Sequence, residues 1–162
     1  MKKLIFAGLL AAAGVAASFP AIIQAVADED ERVAPVTDPV VLKECGACHM
    51  AYQPSFLPAR SWQKIVDGLK DHFGENAELD PAIAKQIAGY LTANAAGGFS
   101  HSLRSLSNSE TPLRISEMPW FVREHERHGR MSPAALKHAK AKSKSDCTAC
   151  HPGAARGIYE DD

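Results

Sequence analysis

Cys45-Gly46-Ala47-Cys48-His49 and Cys147-Thr148-Ala149-Cys150-His151 hold all four cysteines of the chain, in two pairs 102 residues apart, and a histidine follows each pair at once. C-x-x-C-H is the attachment signature of a c-type haem. The chemistry asks for this order of residues. Two thiols must reach the two vinyl groups on one edge of a porphyrin while the adjacent imidazole turns under the ring to hold the iron, and a short helical turn allows all three. The same cysteines would serve a four-thiolate zinc site, redox disulfides of thioredoxin type or structural disulfides. None of these needs a histidine directly after both second cysteines. The residues therefore predict two covalent haem c groups, held by Cys45 and Cys48 and by Cys147 and Cys150, with His49 and His151 as iron ligands on the attachment side.

The N-terminus points to a compartment where such attachment occurs. Met1-Lys2-Lys3 precedes an apolar run from Leu4 to Val26, Ala25-Val26-Ala27 supplies small residues for cleavage, and Asp28-Glu29-Asp30-Glu31 follows abruptly. Residues 1–27 read as a cleaved secretory signal peptide. The competing reading is an uncleaved anchor, because the run approaches the roughly 20 apolar residues of a membrane helix; Gly14, Ser18 and Pro20 interrupt it. Cleavage after Ala27 leaves 135 residues with 16 basic and 19 acidic side chains, a net charge of −3 before any cofactor. A nucleic-acid binder would show a basic excess instead.

Between the motifs the pattern is helical. Asp38 and Pro39 form a cap-plus-proline start for a helix running to Cys48. Arg32 to Val36 read as a flexible lead-in. The stretch Ala51 to Arg60, with Pro54 and Pro58, reads as a loop along the proximal edge of the first haem. Ser61 is a plausible cap for a helix with Trp62, Ile65, Val66, Leu69 and Phe73 at helical spacing, closed by Gly74. Asp80-Pro81 starts a third, with Ile83, Ile87, Tyr90 and Leu91 inward. From Thr92 to Thr111 the chain turns to Ala, Asn, Gly and Ser, which marks a boundary. Ser116 and Pro119 start a helix that would end at Gly129, Ser132-Pro133 start another, and Asp146 caps a short last one; Gly153 and Gly157 end the ordered part. With no alternating β-branched run, the expectation is an all-α fold. Its parts are an N-terminal haem domain over 28–98 and a small helical C-terminal haem-binding domain over 99–162.

A low-spin haem needs a second axial ligand, commonly His or Met. Met50 adjoins His49 and cannot swing to the far face, and the next methionine is Met118, so the first haem is expected to have two histidines. His72, on the apolar stripe of its helix, is the candidate, since a buried imidazole must find a partner. For the second haem His125 and His128 share a helix face and spacing leaves both open. His138 stands among lysines, His101 lies in the linker, and Met118 and Met131 are possible thioether ligands. The lysines from 137 to 144 read first as a solvated face.

Several strings carry a family resemblance: Lys43 to His49, Pro54 to Trp62, Asp71-His72-Phe73-Gly74-Glu75-Asn76-Ala77, Glu110 to Ile115, Pro119-Trp120-Phe121 and Cys147 to Ala154. Together they resemble the small bacterial dihaem cytochrome c family, electron-transfer partners of the oxygen-binding sphaeroides haem protein. The resemblance implies two bis-histidine haems of low potential, a cytochrome c-like N-terminal unit and a smaller C-terminal one. His72 matches the histidine of His-Phe-Gly-Glu-Asn, and His125 the histidine that follows Pro-Trp-Phe; the stretch from His128 to Lys144 has no clear counterpart. The expected function is that of a periplasmic electron carrier and not an enzyme, with no small-molecule substrate. It would pass electrons from a membrane-bound cytochrome donor to a soluble oxygen-binding haem protein. The alternative is a dihaem redox enzyme, such as a peroxidase or small-oxyanion reductase, which needs one open haem.

Overall fold

The computed structural model describes residues 32–97, 103–126 and 129–159. Among these residues every regular element is helical, and β pairing is limited to isolated bridges. Five α-helices follow in order: α1 (Pro39–Cys45), α2 (Ala59–Asp67), α3 (Pro81–Ala93), α4 (Pro119–His125) and α5 (Pro133–His138). Short 3₁₀ turns lie between and after them. The signal-peptide reading, His101 and His128 fall outside the described residues.

Helix starts follow local chemistry where a cap and a proline coincide. Asp38 Oδ1 accepts from the amides of Val40 and Val41 at 2.8 and 3.0 Å, with Pro39 opening α1. Asp80 accepts from Ala82 N ahead of Pro81, and Ser132 Oγ from Ala135 N ahead of Pro133. Each side chain satisfies a donor that has no partner inside the helix. The Val41 amide, and after it those of Val40 and the Gln86 side chain, hold the Asp38 carboxyl below its ordinary value of 3.8, against opposing desolvation. A depressed folded value means that the stabilisation is complete above the ordinary carboxylate range and is lost as pH falls through the depressed value. Asp38→Asn keeps an acceptor but removes the charge. Its unfolding midpoint is expected to fall less steeply than the parent's on acidification below about pH 4, and parallel curves would refute this.

Four boundaries differ from expectation. α1 ends at Cys45, and Cys48 lies in the turn that follows. α2 begins at Ala59 after Pro58, and Ser61 sits inside it, buried, with its hydroxyl unpartnered. α2 also ends early, at Asp67, because Gly68 caps it and the chain tightens into a 3₁₀ turn at Leu69–Asp71. α4 starts at Pro119, one of the two residues expected to open it, with Ser116 in a separate 3₁₀ turn at Ile115–Glu117, but it ends at His125, short of Gly129.

The core is built where α2 packs on α3 and α1 crosses α3. Val41, Leu57, Trp62, Ile87 and Leu91 are buried there, each side chain worth about 1.5–3 kcal/mol of transfer free energy. Trp62 Nε1 donates to the Pro54 carbonyl at 2.7 Å, so the indole is buried with its polar atom satisfied. Ile115, Met118 and Phe121, from beyond the linker, belong to the same apolar cluster. Met118 is completely buried in it, which uses its side chain for packing.

The two ends of the described chain meet. Val33 N donates to Gly157 O at 2.9 Å, Arg32 bridges to Ile158, and Val36 is buried. The lead-in expected to be flexible is therefore tied down. Gly157 makes the approach possible: its φ is +77°, and a Cβ there would run into the Val33 carbonyl. Order continues past it to Tyr159, whose hydroxyl bonds Gln53.

Candidate haem-binding sites

The first site is assembled by the end of α1 and two turns. Cys45 is the last residue of α1, Gly46 caps the helix through its amide to the Leu42 carbonyl at 3.1 Å, and Cys48 and His49 follow in the turn. His49 Nδ1–H donates to the Met50 carbonyl at 2.7 Å. A carbonyl only accepts, so this bond puts the ring proton on Nδ1 and leaves the Nε2 lone pair for a metal.

His72 reaches the same place from a turn rather than from a helix face. Its amide donates to Glu75 O at 2.7 Å and Glu75 N returns a bond to His72 O at 3.2 Å. Phe73 and Gly74 take φ values of 58° and 100°, and Asp71 Oδ1 accepts from Gly74 N. The imidazoles of His49 and His72 face each other at 6.3 Å between ring centres, 25° from parallel. Tyr52 stacks on His49 at 4.7 Å, and Arg114 lies over Phe73 at 4.1 Å.

The second site is shorter and built largely of turns. Cys147–Ala149 forms a 3₁₀ turn, and His151 N donates back to Cys147 O at 2.8 Å. Asp146 does not cap this turn: its carboxylate accepts from Lys142 N and the Thr148 hydroxyl instead. His125, at the end of α4, donates from Nδ1 to Phe121 O at 3.0 Å and stacks on the Phe121 ring at 4.1 Å. Its ring stands 6.2 Å from that of His151, perpendicular to it. The Nδ1 of His151 is buried without a partner. His138 is exposed at the end of α5.

These distances test the fit of an iron porphyrin. Two imidazoles bonded to one metal at about 2 Å, each ring nitrogen roughly 1.1 Å from its ring centre, stand about 6 Å apart. Both pairs meet this spacing. Among the described residues no group of three or more His, Cys, Asp or Glu side chains gathers as a metal site, so the cysteine pairs do not form a thiolate cage. Two protein ligands per metal suffice when a porphyrin supplies the other four. Burial lowers the pKa of His72, helped by His49 and Arg114. Burial likewise lowers that of His125, partly opposed by its bond to Phe121. Both shifts favour the neutral ring, the form in which an imidazole can bind a metal.

The cysteines stand free of disulfides. Burial pushes the Cys147 thiol up to about 11 and, with the Glu44 carboxylate, raises that of Cys45. Redox-active dithiols of thioredoxin type need the opposite shift. Phe121 stands one helical turn before His125, a spacing the sequence itself shows, whereas nothing in the sequence marks Tyr52, three residues after His49 and outside any helix, as the ring that supports it.

The residues 41–159 match the family model for dihaem cytochrome c. The diheme cytochrome c from Rhodobacter sphaeroides is 50% identical, with a TM-score of 0.72 over 78% of this chain and 100% of that one. A second structure, of the protein purified from Rhodobacter sphaeroides, gives 49%, 0.63, 77% and 99%. The diheme cytochrome of Shewanella baltica OS155 is 35% identical, with a TM-score of 0.60 over 75% and 86%. Among curated protein sequences nothing matches. A likeness of this extent, in sequence and in helical architecture alike, shows that the chain belongs to the dihaem cytochrome c family, with haems carried on Cys45 and Cys48 and on Cys147 and Cys150 and electron transfer as its work.

Proposed function

We propose that the protein is a periplasmic electron carrier whose irons are both closed, the first between His49 and His72 and the second between His151 and His125. The observation that carries this reading is the pair of imidazole separations, 6.3 and 6.2 Å. When bound, each haem supplies an iron that takes up and releases one electron. The chain's own part is to hold an imidazole on both sides of each metal, with the Nδ1 bonds of His49 and His125 aiming the rings. A metal closed in this way has no position for oxygen, peroxide or an oxyanion, which counts against a peroxidase or reductase.

The donor is a membrane-bound cytochrome and the acceptor a soluble oxygen-binding haem protein, as the family resemblance implies. Residues 28–98 make the cytochrome c-like unit and 99–162 the smaller one. Export rests on the N-terminal pattern of residues 1–27. No described helix is long and apolar enough to cross a membrane; the contact with the membrane in this reading is the one made through the donor.

Carbon monoxide tests the closed sites. The reduced holoprotein is expected to keep its absorption spectrum unchanged under the gas. A shift at either haem would show an open iron and favour the enzyme reading.

A further inference from the structure

Two adjacent side chains in the loop after the first attachment motif reach both flanks of the second. The Tyr52 hydroxyl donates to the Ser145 carbonyl at 2.8 Å, two residues before Cys147. Gln53 is fully buried. Its amide nitrogen donates to the Ala154 carbonyl at 2.7 Å, three residues past His151, and its amide oxygen accepts from the Tyr159 hydroxyl at 2.7 Å. The same two tyrosines touch the attachment-side imidazoles. Tyr52 stacks on His49 at 4.7 Å and 24°, and the Tyr159 ring stands edge-on to His151 at 5.5 Å.

The arrangement is reciprocal. Each tyrosine lies against the imidazole of one site and sends its hydroxyl into the segment that carries the other. The buried amide joins the two halves, and both of its ends are satisfied, as a buried polar group requires. A loop that only had to pack would use an apolar residue at position 53, since burying an amide gains nothing unless it is bonded.

We propose that Tyr52, Gln53 and Tyr159 form a brace that sets the position of one proximal imidazole relative to the other, and so the rate at which an electron passes between the two sites. The proposal rests on the reading of His49 and His151 as iron ligands in an electron carrier. In the exchange one electron leaves the iron held by His49 and is taken up by the iron held by His151, or the reverse, so oxidation and reduction balance within the chain. Electron tunnelling weakens steeply with distance, and a brace of three hydrogen bonds across 93 to 106 residues of sequence removes the slack that turns alone would leave. Tyr52, Gln53 and Tyr159 are positioning residues, since they act through the imidazoles and their segments.

The test uses the full holoprotein with both haems attached. Tyr52→Phe and Tyr159→Phe, singly and together, keep both rings and remove only hydroxyls; Gln53→Leu removes the amide at similar volume. Exchange between the sites is read in the half-reduced protein from the exchange of haem methyl resonances, and the dipolar interaction of the two ferric spins is read by electron paramagnetic resonance. The expected result is a several-fold slower exchange and a broader spread of spin–spin interaction in the double variant, with the midpoint potentials and low-spin spectra of the parent. Gln53→Leu should give the same or a larger effect. Parent-like exchange and interaction in the double variant would overturn the proposal; if that variant does not accumulate, the single hydroxyl removals decide on the same readings. Carbon monoxide binding by the parent protein would instead count against the closed-carrier reading, because the brace is judged by comparing variant with parent.

Discussion

His125→Ala is expected to leave both haems attached and to convert one of them from low-spin to high-spin, with carbon monoxide binding to that haem alone once reduced. The thioether bonds do not involve His125, so the cofactor stays. What is lost is the imidazole that faces His151 at 6.2 Å. Neither neighbour can replace it, since Phe121 is a hydrocarbon ring stacked beneath the missing group and Met118 is buried in the core. The other haem should be untouched, because His49 and His72 belong to separate turns. His72→Ala is expected to give the mirror result at the first haem. The measurement is the high-spin absorption band of the oxidised protein and the carbon monoxide difference spectrum of the reduced one. If His125→Ala kept both haems low-spin, the second ligand would have to be sought elsewhere, at His128 first.

Phe121→Ala is expected to lower the stability of the holoprotein by about 3–5 kcal/mol, the usual loss for removing a buried phenylalanine ring. Phe121 is only 2% exposed and lies in the main apolar cluster. It also stacks on His125 at 4.1 Å and meets Trp120 edge-on at 5.8 Å, contacts of about 0.5–1.5 kcal/mol each beyond area burial. Against the roughly 5–15 kcal/mol that holds a typical domain together, the loss is large. Phe121→Leu should recover most of the stability but not the stacking, so its His125 ring is expected to be more mobile. Denaturant unfolding followed at the haem absorption measures both variants. A change below about 1 kcal/mol for Phe121→Ala would mean that the ring is not part of the core.

The two sites differ in how much of them could be read along the chain. Attachment was fully legible because Cys45, Cys48 and His49, or Cys147, Cys150 and His151, are local: their chemistry is decided within five residues. Helix starts at Asp38-Pro39, Asp80-Pro81 and Ser132-Pro133 were legible for the same reason. The sequence places His72 on a helix face, and the structure places it elsewhere. Its helix was expected to run to Gly74, yet α2 stops at Asp67 and His72 stands in a tight turn. Periodicity carried the reading past Gly68, because Leu69 and Phe73 continued an apolar spacing that the backbone does not follow. The lead-in at Arg32 to Val36 looked flexible because its partner, Gly157, lies more than a hundred residues away.

Local chemistry along the sequence determined that this protein is helical and carries two thioether-bound haems, with a histidine directly after each attachment pair, since those properties depend on neighbours a few residues apart. Tertiary structure decided which distant imidazole faces each of those histidines, and that Tyr52, Gln53 and Tyr159 tie the segments together. Such pairings join residues 23 to 106 positions apart, where neither helical period nor capping carries information, and only the packing of the shared core brings them within reach.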